Sequence, residues 1–198
     1  MTDDELKEII SKALKKIKMT IRQEAIDLIV LLSQGLPHYT HLLGLHSARS
    51  SLLGGRLRIT IDDVHAGIKS ALEQTQQSIR NVYQKAVASN RKDTLFREVL
   101  LACALADVDE SGYFVSAAVR EPLSKIMGKP YEIPGFSQHL DKFSSSGRGP
   151  VLEKAGTTRR FRFRFMNPLL QPYVIMRGLS DGMINGELLK LLERKRRP

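Results

Sequence analysis

Apolar residues in the first half of the chain recur every three to four positions, which is the spacing of one face of an α-helix. The first helix begins with a capping box formed by Thr2 and Glu5 and runs to about residue 18. A second helix begins at Thr20 and is ended by Gly35. Pro37, which suits the first turn of a helix, begins the third, so the sequence predicts an entirely helical first half.

A glycine pair separates the third helix from the fourth. Gly54 and its neighbour end the third helix, and Thr60, followed by Asp62 and Asp63, caps the fourth. The apolar pattern of the fourth helix continues to about residue 88. The polar stretch 89–93 comes next, and it predicts a domain boundary at that point.

The second half of the chain mixes helical and extended patterns. Three helices are predicted, at about 94–106, 116–127 and 134–146. A short extended segment at 113–115 lies between the first two. A β-hairpin over 150–165 follows the third, with its turn at 156–158, and a further helix begins at Pro168.

The run Arg-Arg-Phe-Arg-Phe-Arg-Phe at 159–165 alternates strictly, which is the side-chain period of a β-strand. Such a strand buries its phenylalanines on one face and presents a row of arginines on the other, namely Arg160, Arg162 and Arg164. Cations in a row repel one another unless something acidic lies against them, and a phosphate backbone is a common partner. No Asp or Glu occurs from 154 to 180, so we expect unpaired arginines that bind a polyanion. A solvated strand without a ligand is the alternative.

The order helix, short strand, helix, helix, hairpin is that of a winged helix-turn-helix. In that arrangement the second helix of the pair lies in the major groove of DNA, and the hairpin wing lies along the backbone or the minor groove. The helix at 134–146 would then be the recognition helix, with its apolar residues Phe136, Leu140 and Phe143 facing inward. A winged helix that contacts only protein is the alternative.

Four side chains of this recognition helix are expected to point outward: Gln138, His139, Lys142 and Ser145. Gln pairs well with adenine and Lys with guanine, so these residue types suit base edges, although Asp141 among them disfavours DNA. The wing would add phosphate contacts, which raise affinity without determining sequence preference. Its DNA-binding residues are predicted to be Arg159, Arg160, Arg162 and Arg164.

The net charge of +10 is unevenly distributed. Residues 1–90 contain 12 Lys and Arg against 9 Asp and Glu, whereas residues 91–198 contain 19 against 12. The second half is therefore the part expected to face a polyanion. Part of its excess is the basic run at 194–197, for which an unstructured end without a specific role is the alternative.

Other chemistry is predicted to be absent. The single cysteine, Cys103, lies in an apolar run and is expected to be a buried core residue, which excludes an internal disulfide framework. No metal site is predicted, because no cysteine or nearby carboxylate completes a zinc ligand set with His38, His41 and His46. No stretch approaches the roughly 20 apolar residues of a membrane span, and no catalytic arrangement is evident. We expect a cytoplasmic protein with no membrane partner and no catalytic residues.

The run Ser-Gln-Gly-Leu-Pro-His-Tyr-Thr-His-Leu-Leu at 33–43, followed by Ile-Thr-Ile-Asp-Asp-Val at 59–64, resembles the helical lid of AAA+ ATPases. Those lids carry a sensor-2 turn that opens their third helix and an Ile-Thr-x-Asp-Asp-Val start to their fourth. A lid followed directly by a winged helix is similar to the C-terminal part of the origin-recognition and replication-initiator branch, or of similar bacterial ATPases. The resemblance implies partners, namely a AAA+ nucleotide-binding core or sister subunits, and it implies ATP and Mg²⁺ in the parent ATPase.

The sequence departs from the AAA+ pattern at two points. His38 stands where sensor 2 usually has arginine, so the resemblance makes it a candidate for nucleotide sensing, with a plain helix-start residue as the alternative. No Gly-x-x-x-x-Gly-Lys-Ser/Thr occurs, so the loop that cradles phosphates is missing. Asp62 and Asp63 imitate a Walker B pair, but the Thr60 cap favours a capping role. This chain is therefore expected not to hydrolyse ATP and to have no cofactor of its own.

We therefore expect a mainly α-helical protein. Residues 1–88 would form a helical bundle of the AAA+ lid type, 93–180 a winged helix-turn-helix with a small β-hairpin wing, and 181–198 a last helix with a basic tail. The expected function is binding of double-stranded DNA, coupled through the lid to the nucleotide state of an ATPase core that this chain lacks. The alternative is a winged-helix module for protein interaction and assembly that does not bind DNA.

Overall fold

The computed structural model describes residues 1–89, 94–158 and 160–196. Within these ranges the chain is mainly helical, as predicted, with ten α-helices and two small β-sheets. The chain divides into two compact units, Met1–Thr75 and Gln76–Pro198. No helix in the described part of the chain is both long enough and apolar enough to cross a membrane.

The first unit contains four helices and a pair of two-residue strands. In chain order they are α1 (Asp3–Lys16), β1 (Thr20–Ile21), α2 (Gln23–Ser33), α3 (Pro37–Leu53), β2 (Arg58–Ile59) and α4 (Ile61–Gln74). Helix α3 packs against each of the other three helices. The core around it contains Leu6, Ile29, Leu32, Tyr39, Leu43 and Ile68.

The first unit is not entirely helical, which corrects the sequence prediction. Thr20 does not cap α2 but pairs in parallel with Arg58, and its N–H donates to the Leu57 carbonyl at 2.9 Å. The β-branched residues of both segments suit extended backbone. Helix α2 consequently begins after Arg22.

The capping box predicted at Thr2 and the cap predicted at Thr60 are both confirmed. At α1, the Glu5 N–H donates to the Thr2 hydroxyl and the Thr2 N–H donates to the Glu5 carboxylate. At α4, Thr60 and Asp63 form the same reciprocal arrangement. Both helices begin where these local signals place them.

Helix α4 ends earlier than predicted, because Thr75 adopts extended backbone with ψ of 144° and its hydroxyl donates to the Ala71 carbonyl at 2.9 Å. A separate helix, α5 (Gln77–Val87), follows and belongs to the second unit. The division between the two compact units lies at Thr75. The domain boundary predicted at 89–93 falls mostly on residues 90–93, which lie outside the described residues.

The remaining elements of the second unit surround one buried helix. They are α6 (Phe96–Ala104), β3 (Phe114–Val115), α7 (Ser116–Met127), α8 (Ser137–Phe143), β4 (Leu152–Ala155), β5 (Arg162–Phe165), α9 (Leu170–Ser180) and α10 (Gly186–Arg196). Helix α6 packs against α5, α7, α8 and α9. Cys103 on α6 is buried, as predicted, and burial raises the pKa of its thiol. The three strands form an antiparallel sheet in the order β3-β5-β4.

Candidate nucleic-acid interface

Helix α8 has a buried face and an exposed face, as the sequence predicted. Phe136, Leu140 and Phe143 are buried with at most 1% of their surface exposed. Gln138, Lys142 and Ser145 are exposed. The helix is shorter than predicted, because Ile133–Gly135 forms a separate 3₁₀ turn and α8 itself spans only seven residues.

His139 does not point outward, so its assignment as a DNA-contacting residue is wrong. Its side chain is buried, and its ring packs edge-on against Phe96 with 4.9 Å between the centroids. Residue 139 lies three positions after Phe136 and four before Phe143, which places it on the same helix face. Burial lowers the pKa of His139, and the charges of Lys142 and Arg148 act in the same direction.

The phenylalanines of the hairpin face inward, but its second strand is shorter than predicted. Phe163 and Phe165 are buried, whereas Phe161 is half-buried and precedes the strand. The residues before the strand belong to the hairpin turn, since the Arg160 N–H donates to the Thr157 carbonyl at 2.8 Å. Gly156 has a φ of 95°, and a Cβ there would collide with the Arg160 carbonyl oxygen. Arg159 lies outside the described residues.

Two of the three arginines in the predicted row are paired, which contradicts the expectation of free guanidinium groups. Arg164 lies opposite Glu153 in the β4–β5 ladder, and their charged groups are 2.6 Å apart. Arg162 lies 3.6 Å from Asp109. Arg160 is exposed, and it forms no ion pair with any described residue.

These pairs meet at the ring of Tyr113. The guanidinium carbons of Arg162 and Arg164 lie 4.4 and 4.5 Å from its centroid, and its hydroxyl donates to Glu153 at 2.8 Å. The hydrogen bond from Arg164, and to a lesser extent the one from Tyr113, lowers the pKa of Glu153. This face of the sheet is therefore a connected network of internal charge pairs and cation–π contacts.

The hairpin is tied to α8 by an ion pair that the sequence did not predict. Lys154 on β4 lies 2.6 Å from Asp141 on α8, and its ammonium group also lies 3.8 Å from the centroid of Phe161. Asp141 is the acidic residue that disfavoured DNA binding in the sequence. The pair neutralises its charge and joins helix and hairpin into one surface.

Arg148, which follows α8, is a positioned cation that the sequence analysis missed. Its guanidinium carbon lies 3.4 Å from the centroid of Phe96, and Nη1 donates to the carbonyls of Ala86 and Ala88 at 2.7 and 2.6 Å. These carbonyls end α5, about 60 residues earlier in the chain. Because the contact is so distant in sequence, no local pattern could reveal it.

The first unit contains the candidate nucleotide-sensing residue. His38 is exposed in the first turn of α3, with its ring edge-on to Tyr39 at 5.2 Å. His41 is also exposed, whereas His46 is buried. Across the described ranges, no three His, Cys, Asp or Glu side chains come together as a possible metal site.

Asp63 in the first unit has the capping role that the sequence favoured. Its side chain is only 1% exposed and accepts hydrogen bonds from Arg56, Thr60 and Ser50. Burial alone raises the pKa of Asp63, but these hydrogen bonds outweigh it and hold the pKa below its usual value.

No protein-family model, curated protein or solved structure matches this chain.

Proposed function

We propose that the second unit is a winged helix-turn-helix that binds double-stranded DNA, with α8 in the major groove and the β4–β5 hairpin along the backbone. The element order α6, β3, α7, α8, β4, β5 and the sheet order β3-β5-β4 support this proposal. The first unit would be a lid of the AAA+ type, and the chain would be the C-terminal portion of such an ATPase. ATP and Mg²⁺ would then be bound by the nucleotide-binding core, with His38 facing the nucleotide.

The exposed face of α8 carries the proposal. Gln138, Lys142 and Ser145 are exposed on or just after one short helix, and each can bind base edges or phosphates. Lys154 neutralises Asp141, the acidic residue among them, at a distance of 2.6 Å. A surface of this kind offers donors to DNA without an uncompensated negative charge.

The hairpin contributes less than a free arginine row would. Arg160 is exposed and available to a phosphate, while Arg162 and Arg164 already have acidic partners. The side chains of Arg162 and Arg164 are nevertheless 49% and 43% exposed. A phosphate can therefore reach both and compete with Asp109 and Glu153 for their hydrogen bonds.

The test is binding of a fluorescently labelled duplex, measured by anisotropy over a range of salt concentrations. The wild-type chain should bind at low salt and lose affinity steeply as salt rises. Gln138→Glu places a negative charge on the exposed face of α8 and should weaken binding by about tenfold or more, the effect of losing one good base contact.

The matched control is Asn185→Asp, which adds the same charge at the start of α10. Asn185 caps that helix through the Leu188 N–H at 3.1 Å, and aspartate caps a helix equally well. The control should bind almost as the wild type does. Absence of duplex binding at low salt, or equal weakening in both variants, contradicts the proposal.

A second candidate function, protein interaction and assembly, is favoured by apolar exposure in the first unit. Leu53, Leu57 and Ile17 are 90%, 61% and 54% exposed. An open apolar groove of about 360 Å³ also lies between α1 and α3, beside Leu45. Exposed apolar patches commonly mark protein contacts. Self-association measured by light scattering, together with no binding to duplex DNA, would support this function in place of DNA binding.

A further inference from the structure

Two cations of the second unit lie over the ring of Phe96, and a third contacts the segment that carries one of them. Arg148 lies 3.4 Å and Lys142 lies 5.7 Å from the centroid of its ring. The ammonium group of Lys85 lies 3.4 Å from the carbonyl oxygen of Ser146, two residues before Arg148. Within the described residues, none of the three forms an ion pair with an acidic side chain.

Arg148 is held in place by Phe96 and by the end of α5. Nη1 makes both of its hydrogen bonds to the end of α5, and the guanidinium plane rests on Phe96. No described residue accepts a hydrogen bond from its Nε or Nη2. A positioned guanidinium whose Nε and Nη2 donate to no described residue is well suited to a phosphate, which it can bind through two oxygens at once.

The negative end of the α5 dipole can stabilise only two of these three cations. Lys85 and Arg148 lie at the carboxyl end of α5, where cations are stabilising. Lys142 lies in the last turn of α8, where the dipole of that helix also favours a cation. The buried ring of His139 also lies beside Phe96, and its pKa is lowered by burial and further by Lys142 and Arg148. The charges of Lys142 and Arg148 therefore act on the neighbouring imidazole of His139.

We propose that Lys85, Lys142 and Arg148 bind a phosphate of the DNA backbone next to α8. This Phe96 cation site deepens the proposed function and rests on it for the choice of DNA as the source of the phosphate. Lys142 then contacts a phosphate of the DNA backbone, and the C-terminal end of α5 is part of the interface with DNA. Neither Lys85 nor Arg148 is suggested by the winged-helix pattern of the sequence.

The test compares two double variants that lose the same charge. Lys85→Gln with Lys142→Gln removes two cations of the site and leaves Arg148, which also caps α5. Lys129→Gln with Lys190→Gln removes two exposed lysines on or next to other helices, α7 and α10. Circular dichroism and thermal unfolding verify that both variants fold as the wild type does.

Duplex binding is then measured by anisotropy at several salt concentrations. The Lys85/Lys142 variant should bind about tenfold more weakly, as expected for a lost charge-assisted hydrogen bond. Its plot of log affinity against log salt should be shallower by about 1, which corresponds to one phosphate. The Lys129/Lys190 variant should keep the wild-type slope. Equal effects in the two variants would show that only net charge matters and would overturn the site.

Two further polyanions separate failure of the site from failure of the proposed function. Inorganic polyphosphate should also bind, and the Lys85/Lys142 variant should lose that binding. If the wild type binds polyphosphate in this way but not duplex DNA, the DNA function is wrong and the phosphate site stands. If the wild type binds poly-glutamate as tightly as either phosphate polymer, the assignment to phosphate is overturned. If it binds neither phosphate polymer, both proposals fail.

Discussion

Arg164 illustrates how the surroundings of one side chain determine its role. Its guanidinium lies 2.6 Å from Glu153, donates to the Ser111 carbonyl at 3.4 Å, and rests over the ring of Tyr113. Glu153 in turn accepts a hydrogen bond from Tyr113. A phosphate that approaches Arg164 must therefore compete with a carboxylate that is already in place.

Replacing Glu153 by glutamine should increase affinity for duplex DNA if Arg164 belongs to the interface. Glutamine keeps an acceptor for the Tyr113 hydroxyl but removes the negative charge that holds Arg164. One additional phosphate contact would make the slope of log affinity against log salt steeper by about 0.9. The measurement is anisotropy with a labelled duplex, together with thermal unfolding to verify that stability is little changed.

The control for this prediction is Glu187→Gln in the exposed first turn of α10, which changes the net charge by the same amount. That variant should leave the slope unchanged. A steeper slope in both variants would mean that net charge alone is responsible. An unchanged slope in Glu153→Gln would show that Arg164 makes no contact with DNA.

For single residues, the sequence predicted which way a side chain faces better than it predicted the groups that the side chain contacts. The alternation at 159–165 correctly placed Phe163 and Phe165 inside, because the period of two is a local property of extended backbone. The partners of the arginines were not predictable, since Glu153 and Asp109 become neighbours only through the sheet order β3-β5-β4. His139 is different: its spacing from Phe136 and Phe143 already placed it on the buried face of α8.

Among the helices, the start of α4 depends on one buried carboxylate. Asp63 accepts from the Thr60 N–H at 2.9 Å and pairs with Arg56 at 2.7 Å. Asp63→Asn removes the charge that holds Arg56 and replaces an acceptor by a donor. We expect the free energy of unfolding to fall by about 2–3 kcal/mol, from the lost cap and the lost charge-assisted hydrogen bonds. Urea unfolding followed by circular dichroism measures it.

The neighbouring residue provides the control, and pH provides a second test. Asp62 is exposed, and Asp62→Asn should change the free energy of unfolding by less than about 0.5 kcal/mol. The pKa of Asp63 is lowered in the folded protein, so its contribution is complete above its unfolded pKa of about 3.9. That contribution is lost as pH falls through the lower, folded pKa. The stability difference between wild type and Asp63→Asn should therefore shrink below about pH 4, and a difference independent of pH would contradict this role.

Local signals predicted helix starts well, and distant contacts explain the errors. The capping box at Thr2 and the cap at Thr60 were predicted correctly because each joins groups three residues apart. The pairing of Thr20 with Arg58 was missed because it joins segments 38 residues apart. The break at Thr75 was also missed, since the apolar pattern continues from α4 into α5 while each helix packs in a different unit.

For the whole molecule, the division at Thr75 concentrates the positive charge in one unit. Residues 1–75 contain 10 Lys and Arg against 9 Asp and Glu, whereas residues 76–198 contain 21 against 12. The net charges are therefore +1 and +9, a larger contrast than the predicted boundary gave. Electrostatic attraction to a polyanion should accordingly belong to the second unit.

The two possible boundaries can be compared directly with fragments. The fragment 76–198 keeps α5, which packs against α6 and α9, including an edge-on contact between Tyr83 and Tyr173 with centroids 5.4 Å apart. The fragment 89–198 lacks α5, and with it the Ala86 and Ala88 carbonyls that Arg148 binds.

We expect 76–198 to fold with helical circular dichroism and to bind duplex DNA with the salt slope of the full chain. We expect 89–198 to lose much of its thermal stability, because removing α5 exposes apolar surface on α6 and α9. The fragment 1–75 is almost neutral overall and should show no salt-dependent binding. If it binds duplex DNA with the same salt slope as 76–198, the interface does not belong to the second unit alone.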